Sequence, residues 1–446
     1  MIAPRLFALV AAGALAGGCP ADTVGIIDLE LTTAPGSPLL DSVTHLRVTL
    51  TAPRQVIEAD RTDTGFDLAL EVDATGELGS ILVEAFDANG LAVAGGQSPP
   101  FAVAAIDARI AVYLAPAYSL ARAPSSYLDE APPIRALTAA PLTYGAILAG
   151  GLTVDAAGAP VPSGKVHVYN AFDHTLMPGR DLPAPREGLV MGAGARGAVF
   201  MFGGRDAAGQ AAATLWVFDT TVPPSGGYVE LGTFPALARS DQRAVQLAAD
   251  TFVITGAPPL DLRGATLAAR GDVGELAPTG AATTTVDRVV ALFASSAGEL
   301  LLFRDNAFIA LPVAPRPGAA ITALPGGLFG VVGGTVDGVP ARDVLVIDAS
   351  TGATSALADA LLAGRLHPQL AVTSRHVVVA GGMDLDGAVV AGVEVLDARS
   401  LAPVTVVTTS PPPDAQAIAL PNDQVMFVGS SGDGFQLFTP PPPVLP

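Results

Sequence analysis

The chain has 446 residues, of which 50% are hydrophobic and only 15% charged, so it is not a disordered chain and has material for more than one apolar core. Its formal net charge of −19, without any cluster of lysine or arginine, argues against nucleic acid as a partner but selects no other ligand. The 49 glycines and 39 prolines, spread along the chain, predict short strands joined by frequent turns, hence an all-β protein of about two or three domains.

The N-terminal residues are typical of an export signal. Arg5 supplies a short positive region, residues 6–15 are apolar, and small residues lead into Cys19. The apolar run is too short to cross a bilayer. Because Cys19 is the single cysteine, neither an intramolecular disulfide nor a zinc site built on cysteines is possible.

Residues 15–19 (LAGGC) resemble the lipobox of bacterial lipoproteins, in which the cysteine is lipidated and becomes the mature N-terminus. Ala16 departs from the leucine usual in that family. The resemblance implies lipidation of Cys19 and, because Pro20 follows it, an outer-membrane or cell-surface location. The alternative is an ordinary signal peptide cut near Ala21, which gives a periplasmic or secreted protein. In both cases residues 1–19 direct export. If Cys19 is lipidated, the N-terminal lipid is the only expected contact with a membrane.

Residues 20–116 predict a β-sandwich. Their apolar and polar residues alternate with the period of half-buried strands, and turn formers such as residues 87–90 (DANG) separate the segments. We expect an antiparallel sandwich, immunoglobulin-like or transthyretin-like, without the cysteine pair of antibody domains. The expected strands are residues 24–31, 46–50, 66–72, 80–86 and 108–114.

A repeated unit occupies residues 134–440. It consists of a β-run that ends in a glycine pair, a polar turn, and a second β-run that ends in a polar residue. Its four clear copies contain the pairs Gly150 and Gly151, Gly203 and Gly204, Gly333 and Gly334, and Gly381 and Gly382. The unit resembles the Kelch motif of galactose-oxidase-like propellers. In that family the glycine pair closes the second strand of a four-stranded blade and the next apolar run is the third strand, so the resemblance implies a Kelch-type β-propeller.

Degenerate copies fill the gaps between the clear ones. The ends of the successive second strands serve as marks, at residues 150, 203, 256, 295, 333, 381 and 429. They are separated by 53, 53, 39, 38, 48 and 48 residues, close to the roughly 50 of Kelch units. Seven marks predict about seven blades. The tryptophan that usually follows the third strand is missing, and Trp216 lies inside a predicted third strand.

The last blade should be completed from the front of the propeller. Pro440 to Pro443 cannot donate ladder hydrogen bonds, so no fourth strand is expected after them, and residues 441–446 form a proline-rich tail. We expect residues 117–133 to be a connector in which residues 117–122, or a neighbouring stretch, form the closing strand.

Kelch-like propellers include copper radical oxidases, whose copper is held by a tyrosine cross-linked to a cysteine, a second tyrosine and two histidines. Cys19 lies in the export signal, so that cofactor is excluded. Two of the five histidines could hold a metal, and Asp384 and Asp386 could hold Ca²⁺. The sequence favours the other interpretations of these residues, as partly exposed histidines and as tight Asp-Gly turns. No catalytic residue, metal or cofactor is therefore predicted. The histidines are His45, His167, His174, and His367 and His376, which are expected to flank one turn.

The sequence favours an exported, lipid-anchored Kelch-repeat binding or scaffold protein without catalytic activity, which recognises an unknown protein or glycan. One alternative is a carbohydrate-active enzyme of the periplasm or cell surface that uses scattered carboxylates. Another is a purely structural component of the envelope. Charged side chains converging on one mouth of the propeller channel would favour the enzyme, and a channel lined by small apolar residues would favour binding.

Overall fold

The structure is a computed structural model. It describes residues 24–63, 65–66, 68–73, 76–102, 108–125, 134–239, 242–278, 280–285, 289–412, 415–429 and 434–445. Cys19, the export signal and residues 126–133 of the connector lie outside the described residues. Within them the chain forms β-strands and three short 3-10 helices, so the all-β prediction is confirmed. The 3-10 helices are Leu39–Ser42, Ala195–Gly197 and Pro235–Leu237.

The N-terminal part is a sandwich of two sheets. The sheet orders are β4-β1-β9 and β3-β2-β6-β7, with the short pair β5-β8 beside them. Along β1 the buried Ile27 and Leu29 alternate with exposed neighbours, and both sheets contribute side chains to one apolar core. The strands are β1 (Val24–Thr32), β2 (His45–Thr51), β3 (Arg54–Asp60), β4 (Ala69–Asp73), β5 (Leu78–Gly79), β6 (Ile81–Phe86), β7 (Ala92–Gln97), β8 (Phe101–Ala102) and β9 (Ala108–Tyr113).

The expectation of a wholly antiparallel sandwich is wrong in one place. β1 pairs with β9 in parallel, with Ile27 opposite Ala108 and Thr32 opposite Tyr113. The alternation of apolar residues reports which face of a strand is buried but carries no information about strand direction. The strands expected from the sequence also lack β3 and β7, which complete the second sheet.

The remaining strands form four-stranded antiparallel sheets and two small hairpins. They are β10 (Ser119–Arg122), β11 (Thr138–Leu142), β12 (Gly145–Ala149), β13 (Leu152–Val154), β14 (Pro160–Pro162), β15 (Val166–Asn170), β16 (Thr175–Pro178), β17 (Val190–Ala193), β18 (Ala198–Phe202), β19 (Thr214–Asp219), β20 (Gly227–Thr233), β21 (Ala244–Ala248), β22 (Thr251–Ile254), β23 (Leu260–Arg263), β24 (Thr266–Ala269), β25 (Ala281–Thr285), β26 (Val289–Ala294), β27 (Leu300–Arg304), β28 (Ala307–Ala310), β29 (Ala319–Leu324), β30 (Leu328–Gly333), β31 (Thr335–Val336), β32 (Val339–Pro340), β33 (Val344–Asp348), β34 (Thr354–Leu357), β35 (Gln369–Val372), β36 (His376–Ala380), β37 (Val393–Asp397), β38 (Pro403–Val407), β39 (Gln416–Ala419), β40 (Val425–Val428) and β41 (Phe435–Thr439).

We number the four-stranded sheets of this part as blades, each from its first strand outward. Blade 1 is β11-β12-β15-β16, blade 2 is β17 to β20, blade 3 is β21 to β24, blade 4 is β25 to β28, blade 5 is β29-β30-β33-β34, blade 6 is β35 to β38, and blade 7 is β39-β40-β41-β10. The first strands of neighbouring blades contact one another in turn, and β39 of blade 7 contacts β11 of blade 1. The sheets therefore close into a ring, which is the arrangement of a β-propeller. The number of blades in the complete chain stays a prediction.

Blade 7 joins the two ends of the propeller. Its fourth strand is β10, which pairs antiparallel with β41 and places Ser119 opposite Thr439 and Arg122 opposite Gln436. This strand falls within residues 117–122, the stretch expected to complete the last blade. The pairing covers the edge that β41 would otherwise leave open.

The blades have two chemically different ends. The turns between strands 1 and 2 and between strands 3 and 4 lie at one end, which we call the turn face. The connections between strands 2 and 3, which contain the glycine pairs, lie at the other end with the loops that lead into each blade. We call this end the glycine-pair face.

The sandwich contacts the turn face. The N–H of Ala111 in β9 donates to the carbonyl of Phe172 in the 3–4 turn of blade 1, at 2.8 Å. Pro442 packs against Gly95 of β7 so closely that a side chain at this glycine would collide with the proline ring. A small cavity beside this contact is lined by sandwich residues Gly96 and Gln97 together with Arg375, Asn422, Asp423 and Gln424 from the 1–2 turns of blades 6 and 7. The glycine-pair face lies at the opposite ends of the strands.

Candidate functional site: the glycine-pair face

All eight paired glycines adopt the left-handed backbone conformation, with φ between +58° and +86°. Residues with a side chain rarely occupy this region, and glycine does so at little cost. In each pair the chain leaves the second strand of a blade and turns sharply outward. The glycines therefore serve the backbone, and the loops after them carry the exposed chemistry of this face.

Each glycine pair closes the base of a hairpin. The carbonyl of the second glycine accepts a hydrogen bond from the returning arm, donated by Ser163 to Gly151, Ala212 to Gly204, Ala341 to Gly334 and Val390 to Gly382 at 2.8 to 3.0 Å. We call the four loops above these bonds the projecting hairpins; they are residues 152–162, 205–211, 335–340 and 383–389. One repeated bond thus places four equivalent loops on one face.

The first residue of each projecting hairpin also bonds to the loop that leads into its own blade. The partners are Leu152 and Arg135, Arg205 and Glu187, Thr335 and Pro317, and Met383 and Leu366. This approach leaves no space for a side chain on the second glycine. A carbon added to Gly151 would lie 2.3 Å from the carbonyl oxygen of Arg135, and one added to Gly382 would lie 2.6 Å from that of Leu366.

A buried ion pair, which the sequence did not predict, anchors the hairpin of blade 6. Arg365 is 1% exposed and donates to Oε1 of Glu394 from both Nε and Nη2, the latter at 2.7 Å. Its Nη1 donates to the carbonyls of Gly381 and Val390, on the two arms of the hairpin base. The N–H of Leu362 donates to the other oxygen of Glu394. One arginine therefore ties the incoming loop to the hairpin.

Arginines lie at the same place in two other blades but have different partners. In blade 5, Arg316 forms a two-pronged ion pair with Asp343, and in blade 2 the guanidinium of Arg186 lies 4.9 Å from the ring centre of Trp216. Each arginine precedes the first strand of its blade by a few residues. That position is the one sequence signal for these anchors, and it is a weak signal because arginines are common on protein surfaces.

The tips of three projecting hairpins share an Asp-x-x-Gly turn. Oδ1 of Asp384 accepts the N–H groups of Asp386 and Ala388, both at 2.9 Å, and Asp155 and Asp206 make the same pair of bonds. Aspartate side chains favour this local turn geometry. In the described part of the chain no group of three or more His, Cys, Asp or Glu residues is placed to hold a metal ion.

The candidate histidines lie in separate elements. His45, in β2 of the sandwich, contacts Asp60 and Glu58, which raise its pKa through hydrogen bonds. His167 is buried in β15. The expectation that His367 and His376 flank one turn is wrong, because the whole of β35 lies between them. A run as short as β35 carries too little alternation to be distinguished from a turn by sequence.

His174 lies under the sandwich, in the 3–4 turn of blade 1. Its Nδ1 is 2.6 Å from the hydroxyl of Tyr169, and the ring of Tyr113 from β9 is 5.7 Å away between centroids. Burial lowers the pKa of His174 to about 4, so its ring is neutral near pH 7. This histidine belongs to the junction between sandwich and propeller and not to the glycine-pair face.

The channel is lined by the first strands of the blades, which contain no charged residue among those described. They are rich in alanine, valine and threonine, with Gln246, Gln369 and Gln416 as their largest polar side chains. A cleft of about 440 Å³ opens between blades 3 and 4 at the turn face. It is lined by Gln246, Leu247, Ala248, Ala249, Thr283, Thr285 and Val289.

Comparison with known proteins supports the fold alone. No protein-family model matches the chain, and none of the curated proteins does. Among solved structures, a fungal alcohol oxidase of the AA5 family in complex with copper aligns with a TM-score of 0.53 at 12% identity, over 72% of this chain and 76% of that one. The structure of YjhT aligns with a TM-score of 0.40 at 11% identity, over 58% of this chain and 95% of that one. The chain has a propeller-type, galactose-oxidase-like fold.

The residues of this chain do not fit the copper centre of the radical oxidases. A tyrosine cross-linked to a cysteine cannot form in the propeller, because residues 134–440 contain no cysteine. The propeller histidines His167, His174, His367 and His376 also lie in different elements. Among the described residues, no helix is long and apolar enough to span a bilayer.

Proposed function

We propose that this chain is an exported binding protein without catalytic activity, whose propeller presents the glycine-pair face to a protein or glycan partner. The observation that carries the proposal is the difference between the two faces. The sandwich covers part of the turn face, and four hairpins project from the other. Loops held on a folded scaffold are where binding residues concentrate.

The chemistry of the channel supports binding over catalysis. Hydrolysis of a glycosidic bond uses a pair of carboxylates about 5 to 10 Å apart across the bond. The described residues of the first strands carry no carboxylate, and the residues that line the cleft at the turn face are uncharged.

Deletion of hairpins tests the binding proposal. Removal of residues 383–389 or 152–162 leaves blade 6 or blade 1 with a connection as short as residues 295–299 of blade 4. We expect wild-type protein to retain a discrete set of envelope proteins or glycans from a detergent extract, and each deletion to lose members of that set. The matched control is Gln246→Ala in the cleft. If Gln246→Ala loses binding partners while both deletion variants keep them, the binding site lies on the turn face and the proposal is wrong.

We also propose that Cys19 is lipidated and anchors the protein in the outer membrane or at the cell surface, with the sandwich as a spacer. Two or more acyl chains give stable anchoring. Peptide mass spectrometry of the membrane fraction should find a diacylglyceryl group on an N-terminal Cys19. An unmodified N-terminus beyond Cys19 would contradict the anchor and leave a secreted binding protein.

A further inference from the structure

The glycine-pair face is not uniform, because blades 5 and 6 concentrate its exposed apolar side chains. Leu362 and Val339 are more than 60% exposed, and Leu385, Val389 and Met383 are between 41% and 59% exposed. We call these five residues the blade 5–6 patch. Single exposed apolar residues are ordinary on a protein surface, but a group of them beside two loops marks an interaction site.

Contacts between the segments hold the patch together. Pro340, next to Val339, packs on Gly364, where an added carbon would lie 2.5 Å from the proline carbonyl. Two residues before this glycine, Leu362 is held by its backbone bond to Glu394. Arg365, bonded to the same carboxylate, holds both arms of the hairpin that carries the other three members. The segments that carry the five side chains are therefore linked through the loop that holds Leu362 and Arg365.

The charges around the patch are mainly negative. Asp337 and Asp386 are exposed at the tips of the two hairpins, and Asp384 lies beside them. Asp359 is close to Leu362 in sequence, and Arg342 pairs with it at 3.3 Å. Of these four aspartates, only Asp359 has an ion-pair partner among the residues that the structure describes.

These charges select the occupant. A second copy of the chain would bring another net charge of −19 to an acidic surface, and an anionic membrane would also be repelled. A segment with lysine or arginine beside apolar side chains satisfies both features of the patch. We propose that the blade 5–6 patch binds a cationic, amphipathic segment of a partner protein. The inference rests on the proposed function and specifies the partner.

The probe is a labelled peptide of about ten residues in which lysine and leucine alternate, with glutamate-leucine and lysine-serine peptides as comparisons. Fluorescence polarisation with the full chain should show binding of the lysine-leucine peptide that weakens as salt rises. The variant Val339→Ser with Leu385→Ser should weaken binding at least about tenfold, and Asp337→Asn with Asp386→Asn should reduce its salt dependence. Val222→Ser, at an exposed position of the turn face, is the matched control and should leave binding unchanged.

Equal binding by all variants, or equal binding of the glutamate-leucine peptide, would overturn the inference. If the wild-type protein sediments with neutral lipid vesicles and the double serine variant does not, the patch binds a lipid surface instead, and the inference is wrong. If the peptide fails to bind while the hairpin deletions still lose envelope partners, the proposed function stands and this inference fails. If both experiments are negative, both proposals fail. Circular dichroism establishes that each variant is folded.

Discussion

Blades with a glycine pair differ from blades 3 and 4 in the connection between the second and third strands. In blades 1, 2, 5 and 6 the pair begins a projecting hairpin that bonds to the incoming loop. In blade 4, Ser295 and Glu299 close the connection at once, with the N–H of Ser295 donating to the carbonyl of Glu299 at 2.9 Å. Blade 3 crosses in residues 255–259. Among the six blades whose connection is described in full, the glycine pair thus marks those that present a loop.

The largest expected effect is on the ion pair that anchors the hairpin of blade 6. Arg365→Ala leaves the carboxylate of Glu394 buried without its partner, and we expect the free energy of unfolding to fall by about 3 to 5 kcal/mol. Urea denaturation measures this change in the free energy of unfolding. Arg342→Ala, which removes an exposed pair, should cost less than about 1 kcal/mol. Equal costs for the two variants would contradict the anchoring role.

The glycines themselves provide the next test. Gly151→Ala combines a left-handed conformation with a collision against the carbonyl of Arg135, so we expect a loss of about 2 kcal/mol or more. Gly158→Ala is the control, because it has a similar φ at the hairpin tip but nothing within 4 Å, and should cost about 1 kcal/mol. The two unfolding midpoints should therefore separate. If they coincide, close packing of the hairpin base is not what requires the glycine.

The opposite face has a pH dependence of its own through His174. The pKa of this histidine is about 4 in the folded protein and about 6.5 when unfolded, so the unfolded chain binds the proton more tightly. Stability from this group is complete above pH 6.5 and is lost as the pH falls towards 4. At pH 5 the loss should be about 2 kcal/mol.

His174→Gln should flatten this part of the pH profile of unfolding. His367→Gln serves as control, because that ring lies beside the glycine-pair face, away from the junction with the sandwich. An unchanged profile in the His174 variant would mean that its ring is not held neutral at that junction.

The smallest expected effect is at the hairpin tips. Asp155→Ala, Asp206→Ala and Asp384→Ala each remove an acceptor of two backbone hydrogen bonds, and we expect each to cost about 1 kcal/mol. Thermal unfolding of the three variants measures whether the hairpins are equivalent. Stabilisation of the wild type by added Ca²⁺, absent from Asp384→Ala, would contradict the assignment of these residues to turns.

Local regularities explain how much the sequence could predict. The glycine pairs and the apolar runs beside them predicted the second and third strands of four blades, because one backbone geometry recurs there. Pro440 to Pro443 pointed to a closing strand from the front, and β10 pairs with β41. The parallel pairing of β1 with β9 left no mark in the alternation of residues.

The candidate site was less predictable. The pairing of Arg365 with Glu394 joins a loop residue to a residue of the third strand 29 positions away, and periodicity carries no signal for such a contact. Val339 and Leu362 are ordinary apolar residues in the sequence. Contacts between distant loops bring their segments together, among them Pro340 with Gly364 and the backbone bond from Leu361 to Arg342.

The claim that the glycine-pair face is the binding face is tested most directly by photo-crosslinking in the living cell. A photoreactive amino acid is placed at Ala157, Ala208 or Leu385 on the projecting hairpins, and at the exposed Val222 on the turn face as control. We predict discrete crosslinked products from hairpin positions and none from Val222. Products from Val222 alone would contradict the account.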